Sequence, residues 1–313
     1  MALADVSQPA RGAYVELANL IAQRFPAAKL QLARRNRALS TLAGPNKSNF
    51  RGRGIDFEEV RNYQAGDDIR TIDWRVTART GNAHTKLFRE ERERPVLVVV
   101  DQRSSMFFGS RHCFKSVLAA QLGALLAWSA LQGGDRVGGL VFNEQGHHDI
   151  RPRRSRKTVL GLLSQIVEFN RQLPLDASDT QQDFSEVITN LRRIARPGTS
   201  LFLVSDFRGY DSNGAREQLF ELAKHTEITA LACTDPMEAD LPRAGSYTVT
   251  DGSQRSRLQT ADARTRQLFR QHFDQRRSAL AEDFLRLGIP LLDVATHESP
   301  FAVLQTFYGN YRR

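Results

Sequence analysis

Residues 95–100 read Pro-Val-Leu-Val-Val-Val and run directly into Asp101. An uninterrupted apolar run of strand length, instead of an alternating one, belongs to a strand covered on both faces. Such a strand needs layers above and below it, and the chain supplies them. Further strands are expected at Asp135–Asn143, Thr199–Ser205, Ile228–Cys233 and Ile289–Val294. Helical periodicity fills the intervals over Cys113–Leu131, Thr158–Phe169, Phe184–Ala195, Asn213–His225 and Ala261–Leu287, and Pro300–Tyr308 closes the chain. Strands alternating with helices predict an α/β fold, a doubly wound and mostly parallel sheet with helices on both faces. Gly146–Arg151 is expected to add a hairpin arm, and Ser246–Leu258 reads as a second hairpin-like stretch. In the long helix, Leu268, Phe269, Phe273, Leu280, Phe284 and Leu287 recur near helical spacing and are expected to face the sheet.

Two regions precede this domain. Residues 1–49 form a helical segment in which Tyr14, Leu17, Leu20, Ile21 and Phe25 keep helical spacing. After Pro26, the leucines 30, 32, 39 and 42 continue a second, Arg-rich helix, which Gly44-Pro45 stops. Residues 50–95 form a small β-rich segment with turn signals at Arg51-Gly52-Arg53-Gly54 and Ala65-Gly66-Asp67-Asp68. Within it His84–Arg92 alternates as a strand does. The α/β domain then spans residues 96–313.

With 313 residues, 41% of them hydrophobic, the chain can enclose a substantial core. No apolar run approaches the roughly 20 residues of a membrane span, and the first residues lack the basic start and apolar stretch of a secretory signal. A cytoplasmic protein is the expectation, with Cys113 and Cys233 as buried reduced thiols. The net charge of +9, carried mostly by arginine, suits nucleic acid, anionic lipid or an acidic protein partner. Its densest run, Arg151–Lys157, reads as a solvated hairpin tip; no aromatic residues are interleaved for base stacking. His147-His148 point in different directions on a strand, so one metal would seldom take both. No GxxxxGK[ST] phosphate loop and no Gly-x-Ser-x-Gly elbow are present, so ATP-driven work falls to a partner.

Asp101 ends the first buried strand, and Ser105 follows four residues later. Sites in open α/β sheets lie at the carboxyl ends of strands. A carboxylate and nearby hydroxyls at that edge offer oxygen ligands to Mg²⁺. The arrangement resembles the metal-ion-dependent adhesion site of von Willebrand factor A domains, built from Asp-x-Ser-x-Ser, a later Thr, and an Asp after a middle strand. Asp101 and Ser105 match the first and last positions, and Asp206 in Val-Ser-Asp-Phe matches the middle-strand position. Arg103 stands where the second ligand is expected. Thr180 is near the place of the later Thr, but the residue just before Asp183 is Gln182. A guanidinium repels a divalent cation and can itself bond to Asp101 or Asp206. The expectation is an eroded site, with Mg²⁺ as its only candidate cofactor.

Residues 54–81 carry a second constellation: Gly54, Phe57, Arg61, Tyr63, Gly66-Asp67-Asp68, Arg70, Asp73-Trp74 and Ala78-Arg79. Arg61, Asp67, Arg70 and Asp73 can satisfy one another in bidentate pairs, and Tyr63 and Trp74 can pack a small core. The order of these motifs, with the Asp101 loop, Ser205–Phe207 and Asp235-Pro236-Met-Glu238, resembles the domain of unknown function 58 family over roughly residues 50–310. That resemblance implies a von Willebrand factor A-like domain and association with MoxR-type AAA+ ATPases, which act as chaperones in maturing other proteins. It implies no enzymatic activity. The resulting expectation is a protein-interaction module, partner or adaptor of such an ATPase and of a client protein, with Arg61, Tyr63, Gly66, Asp67, Arg70, Asp73, Trp74 and Arg79 as a bracing or partner-contact surface. Nucleic-acid binding through the Arg-rich surface is the first alternative and a metal-dependent enzyme at Asp101 the second.

Overall fold

The structure, a computed structural model, describes residues 8–32, 56–64, 69, 72–89, 94–173, 184–211, 214–250 and 255–309. The chain divides into two units, residues 1–48 with 94–313, and residues 49–93. The large unit begins with the short helices α1 (Leu17–Ala22) and α2 (Arg24–Ala27). Pro26 lies inside α2, and Leu30 forms an isolated bridge with Gly309 instead of continuing a helix. The rest of the expected Arg-rich helix, with Leu39 and Leu42, lies outside the described residues.

In the small unit, β1 (Asp56–Asn62) pairs antiparallel with β2 (His84–Arg89), with an irregularity between Phe57 and Glu59. Between them lies α3 (Trp74–Thr80), closed by Gly81 at φ 78, the left-handed position that favours glycine.

The large unit continues with β3 (Pro95–Asp101), α4 (Lys115–Gln132), β4 (Arg136–Phe142), β5 (His147–Arg153), α5 (Arg156–Arg171), α6 (Phe184–Ile194), β6 (Ser200–Ser205), α7 (Ala215–Ala223), β7 (Glu227–Thr234), α8 (Pro236–Ala239), the β8–β9 hairpin (Ser246–Thr250, Arg255–Gln259), α9 (Ala263–Arg286), β10 (Leu291–Ala295) and α10 (Pro300–Tyr308). Six strands form one sheet in the order β10-β7-β6-β3-β4-β5. All neighbours are parallel except β5, which runs antiparallel along the β4 edge. The expected hairpin arm is therefore a full edge strand. Among the described residues of this unit, the β8–β9 hairpin forms a separate two-stranded sheet.

The apolar run of β3 is explained by the period of two. Val96, Val98 and Val100 enter one core cluster, with α4, α5 and α10, while Leu97 and Val99 enter the other, with α6 and α7. Helix α4 is buried from Lys115 through Ala120 and from Leu122 to Ala130, which is why it reads as apolar all round. It approaches closely because Gly123 has no side chain; a Cβ there would lie 2.8 Å from Val100 Cγ2. The N-terminal residues Val15, Leu20, Ala27 and Leu30 join this same cluster. Trp128 Nε1 donates to the Leu20 carbonyl at 3.1 Å, and Ser129 Oγ donates to that of Leu30 at 3.2 Å.

Helix α9 corrects one expectation. Only Phe284 of its 24 residues is buried; Leu268 is 57% exposed and Phe269 37%. The helix is about 36 Å long, whereas the eight residues of β7 span roughly 27 Å, and only its last turns join the core. There Phe284 meets Phe207 and Tyr210 edge-on, each at 5.1 Å between ring centroids. Phe284→Ala is expected to destabilise by about 3–5 kcal/mol, the range for a buried aromatic. Phe273→Ala, at a half-buried position, should cost about 1 kcal/mol or less in the same denaturant titration. Equal losses at the two positions would contradict this division of the helix.

Candidate functional site

Asp101 is the last residue of β3, and Asp206 follows β6, its parallel neighbour. Register therefore delivers both carboxylates to one edge of the sheet, as the sequence predicted. Arg103 lies between them. Its backbone N–H donates to Asp101 Oδ1 at 2.9 Å, its Nε to both carboxylate oxygens at 3.1 Å, and its Nη2 to Oδ2 at 2.7 Å. The same Nη2 is 3.7 Å from Asp206 Oδ1, and Nη1 donates to the Arg208 carbonyl at 3.0 Å. The guanidinium also faces the rings of Phe184 and Phe142, 5.1 and 5.5 Å from their centroids. Burial opposes its charge, but Asp101 and then Asp206 outweigh burial and raise its pKa above the ordinary arginine value.

A second cation completes the arrangement. Lys115, the first residue of α4, has a fully buried side chain, and its Nζ donates to Asp206 Oδ2 and to Glu238 Oε1, each at 2.8 Å. A lysine in a helix's first turn faces the unfavourable end of the helix dipole; here the two carboxylates offset that. Burial favours its neutral form, but Asp206 and Glu238 overcome this and raise its pKa. Burial likewise opposes ionisation of Asp206, yet Lys115 and Arg103 hold its carboxyl well below the usual range. Arg208, half exposed, closes the outer side, 3.1 Å from Glu238 and 3.6 Å from Asp206. Three carboxylates thus face three cations.

Polar groups around the cluster are arranged to hold it. Ser205 Oγ donates to Asp101 Oδ2 at 2.6 Å and accepts from the Phe207 N–H at 2.9 Å. Phe207 sits at φ 56, a strained value for a residue with a side chain. In the loop after β7, Asp235 and Glu238 form a capping box at the start of α8. Asp235 also accepts from Ser110 Oγ and Thr296 Oγ1, each at 2.5 Å, joining three loops at this edge. The thiol of Cys113 is pushed up to about 12 by burial and by Asp235, and both cysteines are free and buried.

The residues present do not fit an octahedral Mg²⁺. Both oxygens of Asp101 are taken by Arg103 and Ser205, and Asp206 is held by Lys115. Ser105 Oγ is buried with no hydrogen-bond partner among the described residues, so it alone of the three expected ligands is uncommitted. Ser104 is engaged elsewhere, its N–H and Oγ donating to Glu144 at 2.6 and 2.5 Å. Thr180 and Gln182 lie outside the described residues. The sequence reading missed Lys115, which is hidden at the head of an apolar helix. The signal that finds Glu238 is Asp235-Pro236-Met-Glu238, since Asp-Pro-x-Glu is a helix-start pattern.

Of the second constellation, Gly66, Asp67 and Arg70 lie outside the described residues. Arg61 is on β1, where its Nη1 donates to the Asn62 carbonyl, and the N–H of Tyr63 donates to that of Ala83 at 2.8 Å. Asp73 caps α3 by accepting from the N–H groups of Arg75 and Val76 at 3.0 and 3.2 Å. Arg79 is exposed in the last turn of α3. Trp74 corrects the expected small core: it is 68% exposed, and α3 has no buried residue. Among the described residues of this unit only Thr85 is buried, and these residues form no apolar core around the indole.

The family model described as protein of unknown function DUF58 matches residues 59–279. Uncharacterized proteins of Mycobacterium tuberculosis and Mycobacterium bovis are each 30% identical over 285 residues, covering 91% of this chain and 88% of the relative. Two solved structures are also similar. One is a conserved hypothetical protein BatB from Bacteroides thetaiotaomicron, 16% identical, covering 62% of this chain and 98% of that one, with a TM-score of 0.37. The other is an aerotolerance-related membrane protein from Bacteroides fragilis, 14% identical, covering 68% and 98%, with a TM-score of 0.43. No helix among the described residues of this chain is long and apolar enough to cross a membrane.

Proposed function

The chain belongs to the DUF58 family, and on that premise we propose that it is a non-catalytic protein-interaction module with a von Willebrand factor A-like core. It acts in the cytoplasm as partner or adaptor of a MoxR-type AAA+ ATPase that matures or assembles a client protein. The observation that carries this reading is the closed charge cluster. At the sheet edge where α/β folds place their ligands, the carboxylates are committed to Arg103 and Lys115. A group held by an internal salt bridge and kept ionised is poorly suited to general acid–base work near neutral pH. The high-pKa thiol of Cys113 is no nucleophile. A rigid edge of this kind suits a scaffold whose work is contact. The exposed Trp74 and Arg79 offer a first contact surface, since Trp and Arg are enriched among residues that anchor interfaces.

The test is size-exclusion co-elution with the MoxR-type ATPase of the same genome, read together with the ATPase rate. A stable complex with an altered rate is expected. Trp74→Ala combined with Arg79→Glu should weaken the complex about tenfold or more. Separate elution and an unchanged rate at micromolar concentrations would sink the adaptor reading.

A further inference from the structure

At the amino end of the sheet, opposite the charge cluster, a cleft of about 410 Å³ opens between the β4–β5 edge and the end of α6. Arg136, Arg151, Arg193 and Arg196 stand around it, with Asp149 as the one carboxylate among its lining residues. All five are exposed. Arg136 donates to the Pro152 carbonyl at 3.3 Å, and none of the four arginines has an ion pair among the described residues. The positive run at Arg151–Lys157 is thus not merely a solvated tip: its first two residues line a concavity that two arginines from the other side complete.

Four guanidiniums that have no ion pair among the described residues stand around one concave surface, where they repel one another and create a strong local field for an anion. The planar guanidinium fork matches carboxylates bidentately. The apolar floor is aliphatic, with Ile150 and Ile194 half-buried and Leu97 buried in the core. An inorganic anion would leave that floor unused, and among the described residues no aromatic ring lines the cleft to stack a nucleobase. A cationic rim over an apolar floor is the form of a site that takes one large apolar side chain with carboxylates beside it. We propose that this cleft docks an acidic peptide segment of a protein partner, with an aliphatic anchor side chain on the floor and its flanking carboxylates on Arg151, Arg193 and Arg196. The assignment rests on the interaction-module reading and supplies it with a second surface and a ligand chemistry.

Fluorescence anisotropy tests it with a fluorescein-labelled peptide of alternating Glu and Ala around one central Leu. Arg151→Glu with Arg196→Glu should weaken binding about tenfold or more, since a charge-reversed rim repels the peptide. Arg264→Glu with Arg276→Glu on α9 makes the same change in net charge far from the cleft and should leave affinity within about twofold at physiological salt. Both pairs are exposed, so thermal unfolding should not move. Replacing the central Leu by Ala should also weaken binding. Equal losses in the two double variants, undiminished binding of the peptide without Leu, or no binding by the native protein would each overturn the proposal. So would an oligothymidylate that binds more tightly than the peptide and depends on the same arginines, because the occupant would then be nucleic acid. If the peptide fails while the ATPase complex forms, the cleft assignment alone falls; if the peptide binds and no ATPase complex forms, the adaptor reading alone falls.

Discussion

Lys115→Met is expected to destabilise the folded chain by about 3–5 kcal/mol, the cost of removing one partner from a buried ion pair. Lys115 is fully buried, and Asp206 and Glu238 are 4% and 7% exposed, so water cannot replace the ammonium. Arg208 is half exposed and can compensate only in part. The loss is a large fraction of the roughly 5–15 kcal/mol that holds a typical domain together. Denaturant titration would measure it. The triple variant with Asp206→Asn and Glu238→Gln should regain most of it, because the charges that were left bare are then gone. A loss below about 1 kcal/mol for the single variant would show that the cluster does not brace this edge.

The same pairs set a pH window. Asp206 has a folded pKa below its ordinary 3.8, so its contribution is present above that value and lost as pH falls through the folded pKa. Lys115 has a folded pKa above its ordinary 10.5, so its contribution is present below that value and lost as pH rises further. Stability from this cluster is therefore level between the two, and the acid slope should flatten in Asp206→Asn.

Arg103→Ser is the second large effect. It removes the guanidinium bonds from the buried carboxylate of Asp101, leaving Ser205 Oγ and a backbone N–H, and should also cost about 3–5 kcal/mol. The same change supplies a hydroxyl where a metal-binding edge would carry a ligand. Mg²⁺ bound only by the folded state raises stability by mass action. The native protein should show no rise in unfolding temperature with millimolar Mg²⁺, while the variant should recover part of its loss. Recovery is expected to be incomplete because Lys115 still holds Asp206. A strong Mg²⁺ response in the native protein would mean that Arg103 yields to the metal and that the cluster is not closed. Full recovery in the variant would mean that Lys115 yields.

The sequence by itself determined the layered α/β fold. A strand buried on both faces has no polar face to show, so Val96–Val100 announced a sheet sandwiched between helices, and the residue ending such a strand falls at its carboxyl edge. That was enough to bring Asp101 and Asp206 together and to set Arg103 between them. It was not enough for α9, where the spacing of Leu268, Phe269 and Phe273 measures amphipathicity but not whether a partner layer extends far enough to cover it. Nor did the Asp73-Trp74 pair say whether the small unit could enclose an indole. Lys115 and Glu238 lie 123 positions apart, and each is locally unremarked: a lysine heading an apolar helix, a glutamate in a capping box. Only parallel strand register and the close approach of α4 to β3 bring them into contact beside Asp206. The four arginines of the amino-end cleft come from β4, β5, α6 and the turn before β6, and their shared concavity exists only once the sheet has ordered those elements side by side. Periodicity records which residues leave water; which charges meet after they have left it is decided by packing alone.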